Sequence, residues 1–194
     1  MTNLTDLSQE ICRLYLRNGT KAYGLYHLNQ LQHALQSARH AELQGLTPAM
    51  IMASLLHDVG HMVHDLGEAP AEDGVDDKHE DLGAVWAATH FPEAVSEPIR
   101  LHVAAKRYLC SVEDGYEASL SKDSRISFAL QGGHMTEAEQ QVFLRTPYAD
   151  DAITLRRIDD LAKDPKAVTP DLDAYLALYL RDAVNGTRSQ AVMS

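Results

Sequence analysis

The sequence of 194 residues has only two cysteines, Cys12 and Cys110, and they do not form a CxxC pair. Two distant cysteines provide neither a disulfide framework nor a thiolate metal site, which favours a reducing compartment. Long apolar runs are also missing, since none approaches the ~20 residues of a membrane-spanning helix. The N-terminus lacks the cationic and apolar segments of a signal peptide. We therefore expect a cytoplasmic protein that does not associate with a membrane.

Positive charge is scarce as well. Aspartate and glutamate together number 28 against 17 lysines and arginines, which gives a formal net charge of -11. An acidic surface does not attract a phosphodiester backbone or an anionic lipid headgroup, so we expect no nucleic-acid partner. A small anion could still bind in a locally basic pocket.

Strand patterns are almost absent, whereas apolar residues recur at helical spacing along most of the chain. The segment 64–78, rich in Gly, Pro, Asp and Glu, predicts a surface loop that could act as a lid. A hydrophobic content of 45% is sufficient for one all-α domain spanning residues 1–194. The predicted helices span residues 6–18, 28–44, 48–58, 79–89, 93–105, 122–130, 136–144, 149–162 and 170–181.

The segment Met52-Ala-Ser-Leu-Leu-His-Asp-Val-Gly-His61 is predicted to form the last turns of an apolar helix that stops at Gly60. His57 and Asp58 are adjacent, so on a helix they point about 100° apart and cannot both face one core. That arrangement suits an imidazole for one metal ion and a carboxylate that bridges to a second. The alternative is a polar helix end with an exposed aspartate and a half-buried histidine.

Ten histidines are present, and several fall on predicted apolar helix faces. Taken singly, such a histidine is usually a core residue with satisfied hydrogen bonds. Helical bundles, however, build dinuclear sites from histidines and carboxylates that converge from several helices. The ordered set with one ligand or pair per helix is His33, His57, Asp58, His79, His102 and Asp159, with Asp160 as the alternative to the last member.

The order H…HD…H…H…D resembles that of the HD-domain superfamily, all-helical metalloproteins that include phosphohydrolases and a branch of diiron oxygenases. The resemblance covers residues 23–163 and implies an HD-domain helical bundle, with a helical C-terminal extension to about residue 182. Four imidazoles and two carboxylates, without a thiolate, suit iron or manganese better than a structural zinc ion.

Three further features resemble the oxygenases that cleave the carbon–phosphorus bond of 1-hydroxyalkylphosphonates. The H-x3-K spacing of His102 and Lys106 puts the lysine one turn beyond a ligand; the alternative is a solvated lysine at a helix end. Ser124-Arg125 and the segment 131–133 resemble the part of those enzymes that closes over the phosphonate. Tyr23 stands where that family has a tyrosine that ligates iron until substrate displaces it.

The resemblance implies a cofactor of two iron ions, a mixed-valent Fe(II)/Fe(III) pair bridged by Asp58, with O2 and a small organophosphonate as substrates. It also implies residue roles. The metal ligands would be the six residues of the ordered set. Catalytic roles would fall to Tyr23, His61 and Lys106, and the residues around the substrate would be Tyr26, His61, Lys106, Ser124 and Arg156.

Tyr26 marks a departure from the glycine-forming members of that family, which have at this position a glutamate that pairs with the substrate's ammonium. A quaternary ammonium has no N–H to donate and favours aromatic faces. We therefore expect (R)-1-hydroxy-2-(trimethylammonio)ethylphosphonate as the substrate, with glycine betaine and phosphate as products. Acidic residues of the loop, namely Asp73, Asp76 and Asp77, could add a carboxylate to the cage. The alternative for Tyr26 is a core tyrosine.

Four alternatives remain open from the sequence. The same chemistry on 2-amino-1-hydroxyethylphosphonate would give glycine. An HD-domain phosphohydrolase would use the same ligands to activate water without O2. A polyol oxygenase of the inositol type shares the H-x3-K spacing, and a non-catalytic scaffold or metal sensor would turn over no small substrate.

Overall fold

The computed structural model describes residues 3–19, 22–23, 28–63 and 77–186, and these residues form an all-α bundle, as the apolar spacing predicts. Two very short strands, β1 (Ala22–Tyr23) and β2 (Leu28–Asn29), pair antiparallel before the second helix. The helices are α1 (Leu4–Asn18), α2 (Gln30–Leu43), α3 (Pro48–Leu56), α4 (His79–Ala88), α5 (Glu93–Val112), α6 (Tyr116–Ser119), α7 (Lys122–Leu130), α8 (Glu137–Arg145), α9 (Ala149–Leu161) and α10 (Leu172–Asn185).

Side-chain caps fix where the central helices begin. The Oδ1 atom of Asn29 accepts from the backbone N–H of Gln32 at 2.8 Å, and the Gln32 side chain accepts from Asn29 N at 3.0 Å. This reciprocal pair is a capping box and starts α2. Thr47 caps α3, with Pro48 at the first helical position, as the sequence predicts.

Helix α3 forms the centre of the bundle. All nine of its residues are buried, and it packs against α2, α5, α9 and α10. A helix that is apolar on every side is stable only when other elements cover it all round. The end of α3 is therefore carried into the interior of the protein, and whatever follows it must be accommodated there.

The predicted helix bounds differ from the structure at two places that matter for the site. The sequence predicts that the third helix runs to Asp58, but α3 ends at Leu56. His57 and Asp58 form a turn, and a short 3-10 helix (Val59–Met62) follows. Helix α5 passes the predicted end at Ala105 and continues to Val112. The helix continues beyond Ala105 because Leu109 and Cys110 pack into a further cluster of buried residues.

Gly60 marks a close approach between two chain segments and is not the helix stop that the sequence predicts. A Cβ atom at Gly60 would lie 1.9 Å from the backbone carbonyl oxygen of His79, so only glycine fits there. The contact holds the turn after α3 against the start of α4. Among the described residues, no helix is both long and apolar enough to cross a membrane.

Replacing Gly60 with alanine should lower the free energy of unfolding by about 3 kcal/mol or more, because the methyl group meets backbone that cannot yield easily. Urea denaturation measures this. Gly45→Ala is the matched control: Gly45 has φ +67 but no atom near the added Cβ, so it should cost only about 1 kcal/mol. Equal losses in the two variants would contradict the close approach.

Candidate metal centre

The structure brings the six residues of the ordered set together in the interior. His33 lies on α2, His57 and Asp58 follow α3, and His79 is the first residue of α4. The two remaining residues come from α5 and α9, and each of the six is no more than 8% exposed. The alternative of an exposed Asp58 at a polar helix end is therefore wrong.

The side chains face one another as two imidazole pairs with a carboxylate between them. The Nε2 atoms of His33 and His57 are 3.1 Å apart, and those of His79 and His102 are 3.2 Å apart. Asp58 reaches both pairs: its Oδ2 lies 3.7 Å from His33 Nε2, and its Oδ1 lies 3.5 Å from His57 Nε2 and 3.9 Å from His79 Nε2. A carboxylate in that position can serve two cations at once.

Each of the four imidazoles is oriented by an acceptor at its outer nitrogen. His33 Nδ1 lies 2.9 Å from Ala162 O, and His57 Nδ1 lies 2.9 Å from Ser54 O. For His79 and His102 the acceptors are Asp77 Oδ1 at 2.9 Å and Ile99 O at 2.7 Å. An acceptor at Nδ1 fixes the proton there and leaves a lone pair on Nε2, which is the usual arrangement of metal-binding histidines.

The chain after α9 reaches His33 because a side chain on α2 holds it. Gln36 donates to Asp164 O at 3.0 Å and accepts from Asp164 N at 3.0 Å. This double hydrogen bond keeps Ala162 O against the His33 ring.

Inward-facing lone pairs 3.1–3.2 Å apart, with Asp58 and Asp159 beside them, repel one another unless positive charge lies between them. A divalent cation supplies that charge, and among the described residues two groups have ligand atoms close enough to share one: His33, His57 and Asp58, and Asp58, His61 and His79. The donors are nitrogen and oxygen without thiolate, which suits iron or manganese. The residues therefore fit a metal centre.

The protonation states of His57, His102 and the two aspartates also favour metal binding. Burial lowers the pKa of His57, and lowers that of His102 still further, so both imidazoles are neutral ligands at neutral pH. Burial alone would raise the pKa of Asp58, but nearby imidazoles, His57 first, hold it below its ordinary value. Burial would likewise raise the pKa of Asp159, but Arg156, Lys163 and His33 together hold it well below its ordinary value.

Asp77 is a site residue whose role the sequence did not reveal. Predicted only as one of three loop carboxylates near the substrate, it instead contacts two histidines: Oδ1 at His79 Nδ1, and Oδ2 at His61 Nδ1, 2.7 Å away. Burial would lower the pKa of His79, and the hydrogen bond to Asp77 raises it. The one available signal was the position of Asp77, two residues before a histidine that begins a helix.

His61 lies at the edge of the cluster and is partly exposed. Its ring stacks on His79 with centroids 4.0 Å apart, and its Nε2 is 4.0 Å from Asp58 Oδ1. A histidine whose Nδ1 is held by Asp77 presents Nε2 toward the centre, where it could contact a bound substrate or a metal ion.

Lys106 is a buried cation beside the centre and not the solvated helix-end lysine of the alternative interpretation. It is 3% exposed, since α5 continues well past it, and its Nζ donates to Ser127 Oγ at 2.9 Å. Burial, with the Arg156 guanidinium nearby, lowers the pKa of Lys106 to about 7. Ser124 Oγ accepts a hydrogen bond from Ser121 Oγ, and its carbonyl accepts one from Ser127 Oγ. Its contact with the phosphonate stays a prediction.

The structure separates the two adjacent carboxylates of α9. Asp159 Oδ1 lies 3.3 Å from His33 Nε2, whereas Asp160 contacts Arg156 and Tyr116. The geometry thus favours Asp159 over Asp160 as the ligand. Arg156, predicted near the substrate, is 3% exposed and is held by both of these aspartates.

Two predicted site residues cannot be placed. The backbone of Tyr23 pairs with that of Leu28, but its side chain lies outside the described structure, as do Tyr26 and the 64–76 part of the predicted lid, including Asp73 and Asp76. Their roles stay predictions.

Comparison with known proteins identifies relatives of this chain. A hydroxymethylphosphonate dioxygenase of Gimesia maris is 46% identical over 149 residues, which cover 76% of this chain and 74% of that protein. The glycine-betaine-forming (1-hydroxy-2-(trimethylamino)ethyl)phosphonate dioxygenase of Leisingera caerulea is 34% identical over 169 residues, 87% of this chain and 86% of that protein. This chain belongs to the phosphonate dioxygenase family. It is therefore an oxygenase.

An uncharacterised protein of Acanthamoeba polyphaga mimivirus is 29% identical over 180 residues, which cover 90% of this chain and 82% of that protein. No protein-family model matches the chain. The family of this dioxygenase thus follows from its curated relatives together with the donor set in its interior.

A metal ion should stabilise the folded dioxygenase, because it relieves repulsion among the inward-facing donors. At a metal concentration 100 times the dissociation constant, the free energy of unfolding should rise by about 2.7 kcal/mol. Thermal unfolding with and without chelator measures this. Asp58→Asn should lose most of the gain, because Asp58 belongs to both groups of candidate ligands, whereas His134→Asn, which changes an exposed histidine paired with Glu117, should keep it. A gain unaffected by Asp58→Asn would contradict the site.

Proposed function

We propose that this dioxygenase uses O2 and a pair of iron ions to cleave the carbon–phosphorus bond of a small 1-hydroxyalkylphosphonate, releasing inorganic phosphate. The observation that carries the proposal is the position of Asp58, whose two oxygens face both imidazole pairs. The phosphonate dioxygenases among the relatives support the reaction class.

The iron ions would be held by the six converging residues, with Asp58 shared between them. His33, His57 and Asp159 lie on one side of Asp58, and His79 and His102 lie on the other. When bound, a mixed-valent Fe(II)/Fe(III) pair would enable dioxygen to oxidise C1 of the substrate, which allows the carbon–phosphorus bond to break. An HD-domain fold, inferred from the order of the ligands, would account for the arrangement.

Hydroxymethylphosphonate is the substrate that we favour, since the relative at 46% identity acts on it. Its reaction with O2 would give formate, phosphate and one proton, which balances atoms and electrons. The substrate carries no amine, and this agrees with a tyrosine at position 26 in place of a carboxylate. The quaternary (R)-1-hydroxy-2-(trimethylammonio)ethylphosphonate, expected from Tyr26, is the second candidate and is supported by the relative at 34% identity.

The chain's own residues would bind and orient the phosphonate. A dianionic head group needs charge-assisted donors, and Lys106 is a buried cation on the same helix as His102. A bound dianion would hold the Lys106 ammonium in its protonated form, and Ser127 Oγ would fix its direction. Because Asp77 holds Nδ1 of His61, its Nε2 would accept a hydrogen bond at the open edge, where the hydroxyl of the substrate can donate one. Contact between Tyr23 and iron in the absence of substrate remains part of the hypothesis.

Phosphate release by iron-loaded protein, with and without O2, tests the proposal. Hydroxymethylphosphonate, the quaternary phosphonate and 2-amino-1-hydroxyethylphosphonate serve as parallel substrates, and Asp58→Asn serves as the control for the metal site. We expect O2-dependent phosphate from hydroxymethylphosphonate most of all. Preference for the quaternary compound would support the cage at Tyr26 instead.

Release that proceeds equally well without O2 would contradict the oxygenase mechanism and favour the phosphohydrolase. Absence of release from all three phosphonates, from protein that carries iron, would contradict the proposed substrate class. A preference for 2-amino-1-hydroxyethylphosphonate would agree with the proposed mechanism and contradict both favoured substrates.

Lys106→Met should lower kcat/KM by about 10- to 100-fold, since a hydrogen bond to a charged group is worth about 1.5–3 kcal/mol. Because the pKa of Lys106 is about 7, wild-type kcat/KM should fall as pH rises above that value and the ammonium loses its proton. Lys106→Arg keeps its charge at those pH values, so its profile should fall less. Lys122→Met, at an exposed helix start, is the matched control, and equal effects of the two Met variants would contradict the role.

A further inference from the structure

Arg156 lies next to the candidate metal ligands, and its guanidinium pairs with the carboxylates of Asp159 and Asp160. Its Nη1 lies 2.6 Å from Asp159 Oδ2. The other oxygen of Asp159 lies 3.3 Å from His33 Nε2 and 3.6 Å from Lys163 Nζ. One oxygen of this aspartate is thus tied to the guanidinium, and the other faces the histidines.

The guanidinium is itself held on its far side. Arg156 Nε lies 3.2 Å from Asp160 Oδ2, and Nη2 contacts Asp160 Oδ1. The hydroxyl of Tyr116 donates to the same carboxylate and lies 3.4 Å from Arg156 Nε. Tyr116 belongs to α6, so the contact joins a second element to α9.

The spacing on α9 makes this geometry possible. Asp159 and Asp160 follow Arg156 by three and four residues, so all three side chains lie on one side of the helix. A planar guanidinium offers donors in fixed directions and can hold two carboxylates in a defined orientation, which a lysine ammonium cannot do. Its positive charge also offsets the cost of burying Asp159.

We propose that Arg156, fixed by Asp160 and Tyr116, is a positioning residue that presents a single oxygen of Asp159 to the metal centre. This role is distinct from the expectation that Arg156 lies near the phosphonate. It rests on the proposed metal centre but not on the identity of the substrate, because it concerns how a ligand is oriented before substrate binds.

Titration of metal-free protein with Mn(II), followed by calorimetry, tests the assignment without any substrate. Arg156→Met and Asp160→Asn should each weaken Mn(II) binding, by about 10- to 100-fold for the arginine, as expected when the partner of a metal ligand is lost. Arg156→Lys should recover only part of the loss. The matched control is Arg157→Met, next in sequence but half-exposed and paired with Glu113, which should leave Mn(II) affinity within about twofold of wild type.

A role in phosphonate binding alone makes the opposite prediction. In that case Arg156→Met leaves Mn(II) affinity unchanged and raises KM for the phosphonate, and Asp160→Asn frees the guanidinium and does not weaken Mn(II) binding. Either result overturns the assignment, as does an equal loss in Arg157→Met. If Arg156→Met does not fold, Asp160→Asn and Tyr116→Phe decide the question. Because Mn(II) binding is measured apart from turnover, a failure to release phosphate would count against the proposed function alone.

Discussion

The need to place positive charge among inward-facing donors governs the centre of this protein. Four imidazole Nε2 atoms and two carboxylates meet inside an apolar bundle, and each ring is held in its orientation by an acceptor at Nδ1. These groups are largely buried and therefore poorly solvated, so cations are needed to offset their repulsion. The surrounding structure can be understood as the means of keeping those donors in place.

Packing supplies the rigidity that the donors require. The fully buried α3 delivers His57 and Asp58 to the interior, and the missing side chain of Gly60 lets the start of α4 approach closely enough for His79 to join them. Polar contacts around the centre hold the ligands in place. Asp77 joins His61 to His79, and Arg156 joins Asp159 to Asp160. Lys106, the buried cation of the proposed phosphonate site, lies on the same helix as the candidate metal ligand His102.

Sequence spacing was sufficient for the all-α bundle and for the residues that converge, because helical periodicity and ligand order are local patterns. It was insufficient where long-range contacts decide. The local sequence predicts a helix stop at Gly60, whereas the need for glycine comes from its contact with His79, 19 residues later in the chain. The partners of Asp77 and Arg156 were likewise missed, since they depend on how side chains from different elements meet. Ser127 was overlooked because only the neighbouring Ser124 matched a known pattern.

The shared role of Asp58 is most directly tested by anomalous diffraction from crystals of the iron-loaded protein. Two iron peaks should appear, one beside His33 and His57 and the other beside His79 and His102. The Asp58 carboxylate should contact both ions. A single peak, or two peaks of which only one contacts Asp58, would contradict a centre bridged by this residue.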